Sequence, residues 1–437
     1  MESAELFGKT FECECGRTHR IMPREVVYAD DALKHLPGVC ARATRGRRVA
    51  VLMDVRTRRV AGAQVAEVLR TAGWEVAELV VEDPAPGTWP ICDDRTREAL
   101  EPRLGRPDLV LPVGAGVISD LGKWIAQDRE LPYVTFATAA SMNGYASSNI
   151  APTIAGVKRL VYGHPPVAVL SSPTVLREAP HELTASGLGD VLAKSVSSAD
   201  WYLNHLLFGD YYCPRSVGLI AEIEPLYMDH PEGLPAGEPE AIEALFKALL
   251  LTGVAMTMAE TSSPSSGAEH LVSHSLDMMS SLDGAKHDLH GRQVGVGTIL
   301  ASELYRRVLA VEQPQLVEPV ERIDRDFWGR LADVVEEQYL QKVPRLHQAV
   351  EMLAQPGTWE HLRAAISPMV RPPERIAECL SRAGGARSAA DIGCDRQRLL
   401  AALLHAHEMR PRFTVLDLAR LMGIMPDAAE DIINMWA

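Results

Sequence analysis

The chain has 437 residues, 47% hydrophobic and 23% charged, and a net charge of 44 − 58 = −14 with histidines neutral. This is a length for two domains sharing a cleft, with enough apolar material for a buried core, which excludes a mainly disordered protein. The acidic balance disfavours general affinity for nucleic acid or an anionic membrane, though it leaves room for a local basic pocket. Residues 48–54 (RVAVLMD) read as a buried strand, and AGAQVAEVLRTA over 61–72 as a helix. Residues 74–81 and 108–113 give a second and third strand, 114–126 has helical spacing, and 133–137 (YVTFA) gives a fourth strand. Strands alternating with helices of this length imply βαβ units and a parallel sheet, whose ligands bind beyond the carboxyl ends of the strands. From about residue 176 the pattern is helical, and 241–260 is apolar all round, as in an interior helix. Pro-rich and charged joints at 229–240 and 371–374 interrupt this half, and 398–407 and 414–422 read as helices near its end. The expected organisation is an α/β nucleotide-binding domain over 1–175 and an all-helical domain over 176–437.

No stretch approaches the roughly 18–20 uninterrupted apolar residues of a membrane span, and the opening MESAELFGKTFECECGRTHR has no apolar run after a basic segment. The seven cysteines (13, 15, 40, 92, 213, 379 and 394) are sparse and odd in number, and read as reduced thiols of a cytoplasmic protein.

In DLVLPVGAGVISDLGKWIA, Gly114 and Gly116 let backbone approach a phosphate, and the helix beyond them offers free N–H groups and a positive dipole end. A tight strand-to-helix turn also uses glycine for steric reasons alone, and the full G-x-G-x-x-G fingerprint is absent. Asp54 ends an early strand, where a carboxylate can accept hydrogen bonds from a ribose or simply cap a turn. The loop TFATAASMNGYASSNIAP is rich in small hydroxylic residues, which suits close contact with a ligand as well as an ordinary surface loop.

The helical half holds three polar elements. In SGLGDVLAKSVSSADW, Asp190 is placed at a helix start with Lys194 one turn on. In SGAEHLVSHSLDMM, His270 and His274 share one helical face. A glutamate precedes the first histidine there, so the HExxH protease motif is not met. In KHDLHGRQVGVGTIL, His290 precedes a glycine at the start of an apolar helix, with His287 nearby. One carboxylate and two imidazoles form a mixed O/N set suited to Zn²⁺, Fe²⁺ or Ni²⁺ and poorly suited to Ca²⁺.

Taken together, FECECGRTH, GVISDLGK, TAASMNGYAS, SGLGDVLAK, SGAEHLVSH, LHGRQVGVGT and LLHAHEMRPRFTVLDLARLMGI resemble the metal-dependent polyol dehydrogenase superfamily that includes glycerol dehydrogenase and dehydroquinate synthase. Within it the chain looks closest to the bacterial sn-glycerol-1-phosphate dehydrogenase branch. The resemblance implies a dehydroquinate synthase-like fold and interconversion of sn-glycerol 1-phosphate with dihydroxyacetone phosphate. It also implies one divalent metal (Zn, Fe or Ni), NAD or NADP, a homodimer and a place in phospholipid metabolism. Carried over by position, it gives Asp190, His270 and His290 as metal ligands, with Asp190 also facing the substrate and His274 as a substrate contact. Asp54, Gly114, Gly116, Val117, Ile118, Ser119, Asp120, Thr138, Ala139, Ala140, Ser141 and Ser147 are expected to hold the dinucleotide, and Asp54 favours NAD because a carboxylate repels a 2′-phosphate. The pair Cys13-x-Cys15 needs no zinc on this reading, since two cysteines cannot complete a tetrahedral site.

The chain departs from the family at one position. The S-x-D-G loop of the family carries an aspartate, whereas here Asn143 keeps the size and a carbonyl acceptor but cannot act as a base. That leaves open a different alcohol or keto substrate, a proton path through His274, a synthase-like member using NAD transiently, or a non-catalytic binding protein on the same scaffold. Lys158 and Arg159 are candidates for a substrate phosphate, or a solvated basic pair.

Overall fold

In the computed structural model, which describes residues 6–219, 221, 223–286 and 288–437, the four apolar runs of the first third form strands. They are β2 (Arg48–Asp54), β3 (Glu75–Val81), β4 (Leu109–Gly114) and β5 (Val134–Ala137). Two short strands absent from the sequence reading, β1 (Glu25–Tyr28) and β6 (Ala168–Ser171), extend the sheet to the order β1-β6-β5-β4-β2-β3, parallel throughout. The inner strands are apolar on both faces because helices cover both. Val49, Val51 and Met53 face Leu36, Val39, Val65 and Leu69, whereas Ala50 and Leu52 share the opposite core with Leu100, Leu104, Leu121 and Ile125. β2 pairs with β3 on one side and β4 on the other, so the strand order reverses there. The loops after β2 and β4 therefore open beside each other, the position where parallel sheets leave a crevice.

Contacts divide the chain into two compact units: Met1–Gly187 with Arg215–Thr261, and Leu188–Pro214 with Ser262–Ala437. The apolar helix expected at 241–260 spans Pro239–Ala259 and packs within the first unit. With a mean hydropathy of 1.6 it is long and apolar enough to cross a membrane, but 83% of that window is buried inside the protein. It lies on the short helical turn Asn143–Ala146, where a Cβ on Gly253 would stand 2.6 Å from the Asn143 carbonyl oxygen.

The second unit is built of helices, among them Lys194–Phe208, Ala268–Asp283, His290–Leu309 and Ala332–Leu353. Glycines set how closely three of its segments cross. A Cβ on Gly189 would lie 2.0 Å from the Gly291 carbonyl oxygen, and one on Gly297 would lie 2.5 Å from that of Glu269. Backbones at this separation leave no room for any side chain. Gly189 directly precedes Asp190 and Gly291 directly follows His290, two residues the sequence reading placed at the metal.

Candidate active site

Asp190 occupies the last turn of helix His181–Leu192, which corrects its expected position at a helix start. The chain turns at Ala193 and Lys194 opens the next helix, so the two do not pair one turn apart on a single helix. The glycines of SGLGD look like a boundary in sequence, but they lie inside the helix and serve close packing. His270 sits in the first turn of Ala268–Asp283, and His290 is the first residue of His290–Leu309. Ligand atoms of Asp190, His270 and His290 all lie within 4.8 Å of one another. The His274 ring stands beside the two imidazoles, its centroid 6.0 Å from that of His270 and 5.5 Å from that of His290. His287 falls outside the described residues.

The surroundings of the two imidazoles fix which nitrogen faces the cluster. His270 Nδ1 is 2.8 Å from Glu269 Oε1, an acceptor, so Nδ1 carries the proton. Nε2, 3.4 Å from Asp190 Oδ1, is then the nitrogen that faces the cluster. Glu269 Oε1 also accepts from the Gly267 backbone N–H at 2.7 Å, which anchors the carboxylate. Ser273 Oγ donates its one proton to Gln293 Oε1 at 2.9 Å and so accepts from His290 Nδ1 at 3.2 Å. With Nδ1 so engaged, Nε2 is the ligand atom His290 offers the cluster. A carboxylate or neutral oxygen behind each ligating imidazole is the usual support of a metal-binding histidine.

Electrostatics in this pocket call for a cation. Burial pulls His270 down, yet the carboxylates of Asp190 and Glu269 outweigh it and leave the imidazole pushed up to about 9. Asp200, buried in the same unit, is pushed up to about 7, first by burial and then by the Glu269 charge. It survives there by accepting from Tyr305 Oη at 2.6 Å and from the Ala268 and Val415 N–H groups at 2.8 Å. Two imidazole nitrogens and a carboxylate converging in a negative pocket, which holds a proton that a metal would displace, fit a divalent ion of the Zn, Fe or Ni kind. Glu269, Ser273 and Gln293 were missed in the sequence reading, although Glu269 adjoins His270 and was noted only as failing a protease motif.

The residues expected to hold a dinucleotide lie in the first unit. Gly114 closes β4, and a Cβ there would meet Ile118 at 2.6 Å; Gly116, at φ +31°, opens helix Gly116–Asp128. That helix has no side-chain N-cap; the Ile118 N–H donates to the Ala115 carbonyl at 3.0 Å, and the N–H groups of Gly116 and Val117 at its positive end are the ones placed to meet an anion, with Ser119 directly behind them. Asp54 ends the adjacent β2 and caps the next turn, accepting from Arg56 N at 2.8 Å and Thr57 N at 2.7 Å through Oδ1. Its Oδ2 lies 3.6 Å from Arg56 Nε. Thr138, Ala139, Ala140 and Ser141 follow β5 and are buried, the Ala139 carbonyl held by Tyr145 Oη at 2.8 Å.

Asp120 Oδ2 accepts from the Ala151 N–H at 3.1 Å, which ties helix Gly116–Asp128 to the hydroxylic loop. The buried Lys123, missed from sequence, strengthens that tie by donating to the Gly144 and Asn149 carbonyls at 2.9 and 2.7 Å. Ser147 is buried in the same loop, and Asn143 begins its short helical turn. Lys158 lies half-buried on a two-residue strand and Arg159 is exposed beside it.

Comparison with known proteins follows this geometry. Residues 27–180 match the family model described as iron-containing alcohol dehydrogenase. A glycerol-1-phosphate dehydrogenase of Geobacillus stearothermophilus, named for NAD(P)+, is 30% identical over 423 residues, covering 94% of this chain and 96% of its own. One of the same name from Thermococcus kodakarensis is 31% identical over 322 residues, 74% of this chain and 72% of its own. Among solved structures, glycerol dehydrogenase from Schizosaccharomyces pombe superposes with a TM-score of 0.60 at 15% identity, covering 94% and 91% of the two chains, and so shares the fold. With both chains matched over nearly their whole length, the protein belongs to the glycerol-1-phosphate dehydrogenase family.

Proposed function

We propose that this chain is an NAD(P)-dependent oxidoreductase acting on CH–OH, and that it interconverts sn-glycerol 1-phosphate and dihydroxyacetone phosphate. The observation that carries the reading is the convergence of Asp190, His270 and His290 within 4.8 Å, each imidazole oriented by its own acceptor. These three residues would hold one divalent ion of Zn, Fe or Ni. When bound, the ion supplies Lewis acidity at the substrate oxygen and the nicotinamide carries the hydride.

What the chain itself contributes is orientation and proton handling. Glu269 and Ser273 keep the two imidazole Nε2 atoms turned toward the cation site. His274, half-buried beside them, is assigned the proton exchanged with the substrate hydroxyl. Asn143, where the family has aspartate, contributes only a hydrogen bond. Asp54, Gly114–Asp120, Thr138–Ser141 and Ser147 are assigned to NAD(P). The carboxylate of Asp54 favours NAD, whereas Arg56 beside it gives a 2′-phosphate a partner.

The test is oxidation of NADH or NADPH followed at 340 nm with dihydroxyacetone phosphate, on chelator-stripped protein with and without added Zn²⁺, Ni²⁺ or Fe²⁺. Consumption of reduced cofactor that requires the metal supports the reading. Turnover of neither cofactor with any of the three metals refutes it.

A further inference from the structure

The amino-terminal motif takes no part in the chemistry above. Its strands Thr10–Glu12 and Thr18–Arg20 pair antiparallel, with Phe11 opposite His19. Between them Cys13, Glu14, Cys15 and Gly16 make a tight knuckle, in which the Gly16 N–H donates to the Cys13 carbonyl at 2.9 Å and the Cys13 N–H to the Arg17 carbonyl at 3.0 Å. The turn needs its glycine, because Gly16 sits at φ +82°. Counting two cysteines by sequence overlooked what this register does. It brings His19 back over the knuckle, with Nε2 3.2 Å from Cys15 Sγ, and the ligand atoms of Cys13, Cys15 and His19 all lie within 4.8 Å of one another. A tetrahedral zinc with Zn–S of about 2.3 Å and Zn–N of about 2.0 Å holds its ligand atoms about 3.5–3.8 Å apart, close to what is found.

Arg215 lies over the Phe11 ring, 4.2 Å from guanidinium carbon to centroid, within the first unit. Cys213 precedes it by two residues, so the chain itself delivers a further thiol to this neighbourhood. No disulfide occupies any of these cysteines. His19 is 3% exposed, packed edge-on against Phe11, a placement that fixes its ring.

We propose that Cys13, Cys15 and His19, with Cys213 as the fourth ligand, hold a structural zinc ion that fastens the amino-terminal hairpin to the segment entering helix Pro214–Gly218. Three thiolates and one imidazole make a closed, sulfur-rich site with no position for substrate, unlike the oxygen- and nitrogen-bearing cluster of Asp190, His270 and His290. The two sites are separable by experiment. A variant with His270→Ala and His290→Ala, expressed with zinc, is expected to keep about one zinc per chain by elemental analysis. Its cobalt-substituted form is expected to show sulfur-to-cobalt charge-transfer absorption. Adding Cys15→Ser or His19→Gln should take the zinc content toward zero, and adding Cys213→Ser should lower the charge-transfer intensity by about a third, as three thiolates become two.

In the unmodified protein, Cys13, Cys15 and Cys213 should resist alkylation until the metal is stripped, read by peptide mass, an arm that needs no variant to fold. A His270/His290 variant that retains no zinc, together with immediate alkylation of Cys13 and Cys15 in the native chain, overturns the site. A cobalt spectrum indifferent to Cys213→Ser overturns the fourth ligand.

Discussion

Replacing Gly189 by alanine tests whether close helix crossings hold the metal ligands together. The added Cβ would stand 2.0 Å from the Gly291 carbonyl oxygen and 3.2 Å from the Gly295 nitrogen, both backbone atoms that cannot rotate away. Ordinary contact begins near 3.4 Å, so helix His290–Leu309 must retreat by about 1.4 Å (3.4 − 2.0). That helix begins with His290, and Asp190 follows the substituted residue directly, so the movement falls on the carboxylate–imidazole edge of the triangle. Metal–ligand distances tolerate only about 0.2 Å, and misplacement by about 1 Å costs on the order of 100-fold. Gly189→Ala is therefore expected to weaken Zn²⁺ binding by about 100-fold or more, and to cost about 1–3 kcal/mol of stability from overpacking. Gly297→Ala, 2.5 Å from the Glu269 carbonyl oxygen, displaces the helix carrying His270 by less. Gly295→Ala meets Gly189 Cα and a yielding Leu380 side chain at 3.3 Å and should fall within about tenfold of wild type. Competition with a chromophoric chelator gives the three affinities, and urea unfolding with far-UV circular dichroism shows which variants are folded. A folded Gly189→Ala protein binding zinc within threefold of wild type, or a ranking that ignores 2.0, 2.5 and 3.3 Å, refutes the reasoning.

The remaining predictions concern single side chains. Glu269→Gln exchanges a charged acceptor for a neutral one behind His270; the difference, about 1.4 kcal/mol, should weaken cation binding about tenfold, and an unchanged affinity by the same competition assay counts against the support role. Asn143→Asp restores the family's carboxylate and is expected to raise kcat for alcohol oxidation by at least tenfold, whereas an unchanged kcat with unchanged KM shows that this loop does not limit proton transfer. Lys123→Met strands the Gly144 and Asn149 carbonyls and should cost about 3 kcal/mol in urea unfolding, and a loss below about 1 kcal/mol would mean water replaces it.

His407 carries the pH prediction. Burial, then the charges of Arg420, Lys342 and His405, hold it neutral well below its ordinary range. Only the unfolded chain takes up that proton below about pH 6.5, so stability is present above this value and falls by up to about 1.4 kcal/mol per unit on acidification. His407→Gln should flatten the loss between pH 6.5 and 5.5 relative to wild type, and parallel curves refute it.

Much of the sheet was legible because β2 to β5 are continuous apolar runs, buried on both faces and bounded by turns. β1 and β6 were not, since four residues such as Ala168–Ser171 carry too little pattern to stand out after a loop. The same limit hid the N-terminal hairpin, whose three-residue strands Thr10–Glu12 and Thr18–Arg20 are recognisable only once paired.

The site residues were readable as types at suggestive spacings, but what holds them was not. His270 and His274 announce themselves by i, i+4 spacing within one helix, whereas Asp190 and His290 come from separate segments, and no local pattern encodes that they meet. The nearest thing to a signal is the glycine beside each: Gly189 before Asp190 and Gly291 after His290. Periodicity reads a glycine as a weak point or an end, and so Asp190 was set at a helix start. In the folded chain the two glycines face each other across a crossing that excludes even one methyl group. A ligand next to such a glycine is placed by backbone contact rather than by its own side-chain packing, so its position is as rigid as the helices themselves. Glycines inside helical segments and adjacent to candidate ligands are, on this argument, the part of the sequence that encodes which distant ligands converge.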